Sequence, residues 1–130
     1  MSGVPEEVDP FDLPDWLGSG EVSWSAESGL HAGHRVTGSL VDDGAEPIPC
    51  DLFAVDEAYP APVADDSTRL ATHQAWRHGQ IRLVSYDGRL TLLVPGTGFT
   101  ADLVLDALGR LAKAVGARPE CYAAHLRIGG

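Results

Sequence analysis

The sequence predicts an α+β domain in which an antiparallel sheet of about six strands, in the order β-β-β-α-β-β-α-β, carries two helices on one face. Three observations predict it: runs of alternating apolar and polar residues, an Asp-Gly dipeptide between two apolar runs, and two helical apolar patterns between strands. Consecutive strands joined by short turns pair antiparallel, and two helices suffice to cover one face of such a sheet. A chain of 130 residues, 44% of them hydrophobic, is long enough to bury a core without disulfides.

The chain divides into an acidic, proline-rich arm over residues 1–20 and a single α+β domain over residues 21–130. The arm holds three prolines and five acidic residues, a composition that disfavours regular structure.

Three strands are predicted at the start of the domain. Residues 22–26 alternate apolar and polar side chains, and the run 30–41 places Val36 and Leu40 on one side. The third strand runs from Cys50 to Val55, and Pro49 allows only a strand start or an edge position before it. These strands form a meander.

A first helix is predicted over residues 68–78, after an N-cap at Asp66 or Ser67. Its apolar pattern predicts that Leu70, Ala71, Ala75 and Trp76 are buried.

A β-hairpin is predicted over residues 81–94, because Asp87-Gly88 readily takes the positive φ angles of a two-residue type I′ turn. This turn sets a register in which Leu83 faces Leu92 on the core side, while residues 86 and 89 face each other on the opposite side.

A second helix follows Thr100, its predicted N-cap, and ends at Gly116. Apolar residues recur at steps of four, three and four along it. A closing strand is predicted over residues 122–128.

Composition limits the function classes. The net charge of −10 repels phosphate backbones and anionic lipids, so nucleic acid and membranes are poor partners. The apolar runs are short and no signal sequence follows Met1, which favours a cytoplasmic protein. Cys50 and Cys121 lie far apart without a Cys/His cluster, so both are expected to be buried thiols, neither disulfide-bonded nor zinc-binding.

No residue set fills catalytic or metal-binding roles, so no catalytic residue, metal or cofactor is predicted. His31 and His34 point to opposite faces of a regular strand and lack further ligands nearby. The loop 96–98 lacks the remaining glycine and lysine of phosphate-binding motifs.

The arm contains the main candidate for partner binding, because large apolar residues alternate there with acidic ones. Such a segment can dock into an apolar groove beside basic residues, or it can cover its own sheet edge. Tyr59, in a loop with two prolines, is a second exposed candidate, with a rigid connector as the alternative. The candidate partner-binding residues are Phe11, Leu13, Trp16, Leu17 and Tyr59.

The segments 59–62, 73–76 and 92–96 together resemble a family of small actinobacterial α+β proteins, and this resemblance implies no activity. In architecture the chain is also similar to secretion-chaperone-like domains, which implies dimers that bind client segments. Its proline-rich arm replaces the opening helix of those domains, and its closing strand is additional.

The sequence therefore favours a non-enzymatic, adaptor-like or chaperone-like protein-binding domain that acts through the arm or through an open sheet face. Its partner is another protein with a basic or apolar groove, and a homodimer is a further candidate. The alternative is a small-molecule-binding protein or enzyme with a pocket near His31, His34, Cys50 and His73.

Overall fold

The computed structural model describes residues 6–27, 35–55, 67, 70, 74, 81–95 and 99–126. Two helices lie within these residues, α1 (Trp16–Ser19) and α2 (Ala101–Ala114), together with 3-10 turns at Pro10–Asp12 and Pro119–Cys121. The strands are β1 (Glu6–Glu7), β2 (Val22–Ala26), β3 (Arg35–Val36), β4 (Gly38–Val41), β5 (Ile48–Val55), β6 (Arg82–Tyr86), β7 (Arg89–Pro95) and β8 (Tyr122–His125).

The α+β class is confirmed, but the sheet is mixed. Its order is β1-β6-β7-β5-β4-β2-β8, with β3 also paired to β5. The β5–β7 and β2–β8 pairs are parallel and the others antiparallel, so the prediction of six purely antiparallel strands is wrong. Both parallel pairs join strands that are distant in sequence, and such pairs carry no local turn signal.

Two differences from the prediction raise the number of strands from six to eight. The first is β1, which lies within the arm, where regular structure was not expected. Helix α1 lies there as well. The second predicted strand, over residues 30–41, is described as β3 and β4, and its residues 30–34 lie outside the described part of the chain.

The β6–β7 hairpin confirms the predicted turn and register. Asp87 and Gly88 have φ angles of 56° and 73°, and Leu83 is paired with Leu92. The turn residues therefore fix which residues of the two strands are paired.

Helix α2 also confirms its prediction. The Thr100 side chain accepts a hydrogen bond from the Leu103 amide at 3.2 Å, and Gly116 lies just past the helix with φ 83°. The helix is therefore fixed by caps at both ends and packs its apolar stripe, including Leu108 and Leu111, into the core.

For the first predicted helix the structure describes helical positions at Ser67, Leu70 and Gln74. Leu70 is 57% exposed, so the prediction that it is buried is wrong. A moderate apolar pattern predicts a helix without fixing which of its side chains face the core. Ala71, Ala75 and Trp76 lie outside the described residues.

The main core lies between α2 and one face of the sheet, and its fully buried side chains include Trp24, Leu40 and Leu92. The opposite face of β5, β6 and β7 is buried as well. It carries a second apolar cluster consisting of Phe53, Val55, Val84 and Leu93.

The pairing of β3 and β4 with β5 is interrupted over two residue pairs, Thr37 with Asp51 and Gly38 with Cys50. The registers on either side place these residues opposite each other. The Cys50 carbonyl instead accepts a hydrogen bond from Trp24 Nε1 at 2.8 Å, and the Gly38 amide donates to Asp51 Oδ1 at 3.4 Å. Side chains therefore satisfy the backbone groups that the strands leave unpaired.

Within the described residues, no helix has the length and apolar character needed to cross a membrane.

Candidate partner-binding site

The arm places one large apolar side chain in solvent. Phe11 lies in the 3-10 turn Pro10–Asp12 and is 94% exposed. The Asp9 carboxylate caps this turn by accepting a hydrogen bond from the Phe11 amide at 3.0 Å. The turn is thus defined by its own hydrogen bonds, with the phenyl ring on its outside.

The chain is fixed to the domain before this turn. Glu6 and Glu7 pair with β6 as a short edge strand, and the Val8 amide donates to the Leu83 carbonyl at 2.9 Å. Val8 also packs against the main core. The segment is therefore part of the sheet rather than a free tail.

The chain is fixed again after the turn. Leu13 and Trp16 pack against the main core, and Leu17 is fully buried in it. The Tyr122 hydroxyl donates a hydrogen bond to the Leu17 carbonyl, and burial raises the pKa of that hydroxyl, so it stays protonated as a donor at neutral pH. Leu17 is consequently unavailable to a partner in this structure.

Gly18 of α1 lies close to Val115, the residue just past the end of α2. A Cβ at Gly18 would lie 2.8 Å from the Val115 carbonyl oxygen, so the close approach of the two helices requires glycine at this position. A cleft of about 110 Å³ lies beside Phe11 at this contact. It is lined by Pro10, Phe11, Leu13, Pro14, Asp15, Gly18 and Val115.

The remaining predicted sites fall largely outside the described residues. They are Tyr59, His31, His34, His73 and the loop 96–98. Within the described part of the chain, no group of three or more His, Cys, Asp or Glu side chains could hold a metal ion.

Cys50, the described member of the alternative pocket, is fully buried. Burial and then the charge of Asp51 raise the pKa of its thiol, so the sulfur is neutral at physiological pH. A neutral, enclosed thiol is a core residue and a poor nucleophile. The expectation of a buried thiol is confirmed here, whereas Cys121 is half-buried.

A buried ion-pair network is the main feature that the sequence did not reveal. Asp51 is fully buried on the second face of the sheet. Arg35 Nη2 lies 2.7 Å from Asp51 Oδ2, and Arg89 Nε lies 3.0 Å from both carboxylate oxygens. One carboxylate thus joins strands β3, β5 and β7.

Two further acids complete this network at its rim. Arg35 also pairs with Asp87 in the hairpin turn at 3.1 Å, and Arg89 Nη2 pairs with Glu27 at 3.1 Å. Arg89 Nη2 donates to the Gly38 carbonyl as well, at 3.1 Å. The second face of the sheet therefore has a charged cluster beside its apolar one.

The two guanidinium groups stay charged. Hydrogen bonding to Asp51 raises the pKa of Arg89, and for Arg35 the hydrogen bonds to Asp51 and Asp87 outweigh burial, which acts to lower its pKa. Both oxygens of Asp51 are engaged by these arginines, which leaves the carboxylate unsuited to act as a general base. The network therefore has a structural role, which is to hold three strands of the sheet together.

One signal in the sequence pointed toward this network. Asp51 is the single charged residue in the otherwise apolar strand from Cys50 to Val55, and a lone acid in a buried strand needs a cationic partner. Nothing in the sequence indicates which arginines supply it.

Comparisons with known protein families, with curated proteins and with solved structures find no match.

Proposed function

We propose that the chain is a protein-binding domain that presents Phe11 to a partner whose surface offers an apolar pocket rimmed by basic residues. The observation that carries this proposal is the 94% exposure of Phe11 on a turn whose flanks are both packed onto the domain. Single exposed apolar residues are common on protein surfaces, so exposure alone does not indicate a binding site. Phe11 differs from such residues because both flanks of its turn are packed onto the domain.

The rigidity of the turn supports the proposal. Binding is weakened by the ordering of flexible segments, and a side chain held on a preformed turn avoids most of that cost. Before the turn, the Val8 backbone forms a hydrogen bond with β6, and after the turn, Leu17 is buried in the core. Aromatic side chains that enter a partner's pocket commonly dominate the energy of an interface.

The charge around Phe11 indicates the chemistry of the partner. Asp9, Asp12 and Asp15 are all exposed, and residues 6–20 contain no basic side chain. Complementary charges at the rim of an interface raise the association rate and favour one class of partner. A partner with lysine or arginine around an apolar pocket fits this surface.

Burial of apolar side chains on the second sheet face favours the arm over an open sheet face. The second sheet face is not open at Phe53, Val55, Val84 and Leu93, which are buried. The cleft beside Phe11, at about 110 Å³, is small beside the roughly 300–1,000 Å³ of a typical small-molecule site. The size of this cleft therefore does not support small-molecule binding beside Phe11.

The first prediction tests Phe11 directly. The full-length chain with a photoreactive phenylalanine analogue at position 11 is irradiated in an extract of its source cells, and crosslinked products are identified by mass spectrometry. We expect one protein to crosslink at position 11, and Phe11→Ala to weaken its binding to the purified chain by about 30-fold or more, as for an aromatic hot spot.

The matched control is Leu105, an apolar residue of α2 that is 52% exposed. The same analogue at position 105 should not crosslink that protein, and Leu105→Ala should leave its affinity unchanged. Added salt should slow association because the rim contacts are ionic. Equal loss of affinity in both alanine variants would refute a specific role for Phe11.

A further inference from the structure

The exposed turn of the arm, Pro10–Asp12, is joined to helix α1 by a short and constrained connection. Leu13 directly follows the turn and donates its amide to the Pro10 carbonyl at 3.2 Å. Pro14 comes next, and its ring restricts φ. The Pro14 carbonyl accepts a hydrogen bond from the Leu17 amide at 3.1 Å. Little backbone freedom is therefore left between the exposed turn and α1.

Two contacts from one segment of the domain hold α1 in place. The segment runs from Val115, just past the end of α2, to Tyr122, the first residue of β8. Gly18 lies so close to Val115 that a Cβ would come within 2.8 Å of the Val115 carbonyl oxygen, and the Tyr122 hydroxyl donates to the Leu17 carbonyl. Both contacts involve backbone atoms of α1, so they fix the helix itself rather than one flexible side chain.

The segment 115–122 has a defined conformation of its own. Near its start, the Ala117 amide donates to the Ala112 carbonyl of α2 at 2.7 Å. Near its end, the Cys121 amide donates to the Arg118 carbonyl at 3.0 Å, and β8 then pairs with β2. Because hydrogen bonds fix both ends of the segment, it can support a second element packed against it.

We propose that Tyr122 is a positioning residue of the Phe11 site: its hydroxyl holds α1, and α1 holds the turn that presents the phenyl ring. This inference rests on the proposed role of Phe11, since it describes how that side chain is kept ready for a partner. Binding costs less when the inserted side chain is already ordered. Loss of the Tyr122 hydroxyl therefore loosens the turn and weakens binding although Phe11 itself is unchanged.

The second prediction concerns the mobility of the arm in the full-length chain without any partner. Tyr122→Phe removes one hydroxyl, and Tyr86→Phe makes the same change in a buried tyrosine of β6 as the matched control. We expect Tyr122→Phe to speed hydrogen exchange of the Leu13 and Leu17 amides about tenfold, while exchange in β7 stays the same. The NMR order parameter of the Phe11 amide should fall from about 0.85 to below about 0.6. Tyr86→Phe should change neither quantity.

A pair of glycine variants tests the same mechanism through the other contact. Gly18→Ala places a Cβ against the Val115 carbonyl, whereas among the described residues the nearest atom to a Cβ at Gly20 lies at 3.7 Å, an ordinary distance. Gly18→Ala should loosen the same amides as Tyr122→Phe, and Gly20→Ala should leave them unchanged. The glycine pair supplies the test if Tyr122→Phe alters the fold.

The outcomes distinguish failure of this proposal from failure of the proposed function. If Tyr122→Phe and Gly18→Ala leave the Phe11 amide as ordered as in the unaltered chain, or if Tyr86→Phe loosens it equally, Tyr122 does not position the site. If the turn loosens as expected but Phe11→Ala leaves partner binding unchanged, the proposed function fails and the positioning of the turn by Tyr122 is supported.

Discussion

At the scale of single residues, Gly38 packs directly against the indole ring of Trp24. A Cβ at Gly38 would lie 2.4 Å from Trp24 Cε2. The indole has no room to retreat, because it is fully buried and its Nε1 donates to the Cys50 carbonyl. Space rather than backbone conformation therefore requires glycine at this position.

The third prediction follows from this contact. Gly38→Ala should lower the free energy of unfolding by about 3 kcal/mol, since overpacking must displace Trp24 from its hydrogen bond. Urea denaturation followed by Trp fluorescence measures the change.

A second glycine supplies the matched control. Gly109 lies inside α2, and among the described residues a Cβ there would meet only Pro119, at an ordinary 4.0 Å. Gly109→Ala should raise stability by roughly 0.5–1 kcal/mol, because alanine favours the helix. If both variants shifted stability in the same direction, the proposed steric role of Gly38 would be wrong.

At the scale of secondary-structure elements, the Asp51 carboxylate links strands β3, β5 and β7 beside the point where backbone pairing with β5 is interrupted. Its carboxylate accepts a hydrogen bond from the Gly38 amide, where the β4–β5 ladder is interrupted. It also forms ion pairs with the guanidinium groups of Arg35 and Arg89. Removing one partner of a buried ion pair leaves an uncompensated charge, which is far more costly than losing a surface pair.

The fourth prediction is that Asp51→Asn lowers the free energy of unfolding by about 3 kcal/mol. The value is at the lower end of the range for buried pairs, because the Arg35 and Arg89 side chains retain 30% and 27% exposure. Chemical denaturation at neutral pH provides the measurement.

The control for Asp51→Asn is Asp87→Asn, which removes another acidic partner of Arg35. Asp87 is 41% exposed, so this change should cost less than about 1 kcal/mol. Comparable losses in the two variants would show that burial of Asp51 does not determine the strength of the network.

Local signals in the sequence were enough to predict the β6–β7 hairpin and α2. Asp87-Gly88 encodes its own turn, and Thr100 and Gly116 encode the ends of a helix within a few residues. The parallel pairing of β8 with β2 has no such signal, because it depends on where α2 returns the chain.

The arm is a second region whose contacts could not be predicted from the sequence. The sequence predicted that the apolar residues among the acids of the arm need a contact, and it left open whether that contact lies within the chain or with a partner. The structure places Leu17 in the core and leaves Phe11 in solvent. Only the three-dimensional packing separates these two residues, which look alike in the sequence; binding of a partner by Phe11 remains a prediction.

At the scale of the whole molecule, burial of ionisable groups links stability to alkaline pH. Cys50 is enclosed in the core, and burial, followed by the charge of Asp51, raises the pKa of its thiol. In the unfolded chain the same thiol ionises near its ordinary value of 9.0. Above that pH the unfolded state therefore binds fewer protons than the native state.

The fifth prediction is that stability is independent of Cys50 ionisation below about pH 8 and falls as pH rises past 9, because stability decreases wherever the unfolded state binds fewer protons. One such group contributes a slope of at most about 1.4 kcal/mol per pH unit. Cys50→Ala should therefore give a shallower decline between pH 9 and 10.5, although it is less stable at neutral pH because a small cavity forms. Cys121→Ala, which retains the Cys50 thiol, is the matched control for loss of a sulfur atom. If Cys50→Ala and the unaltered chain lost stability with the same slope in urea titrations, the buried thiol would not be the source of the alkaline sensitivity.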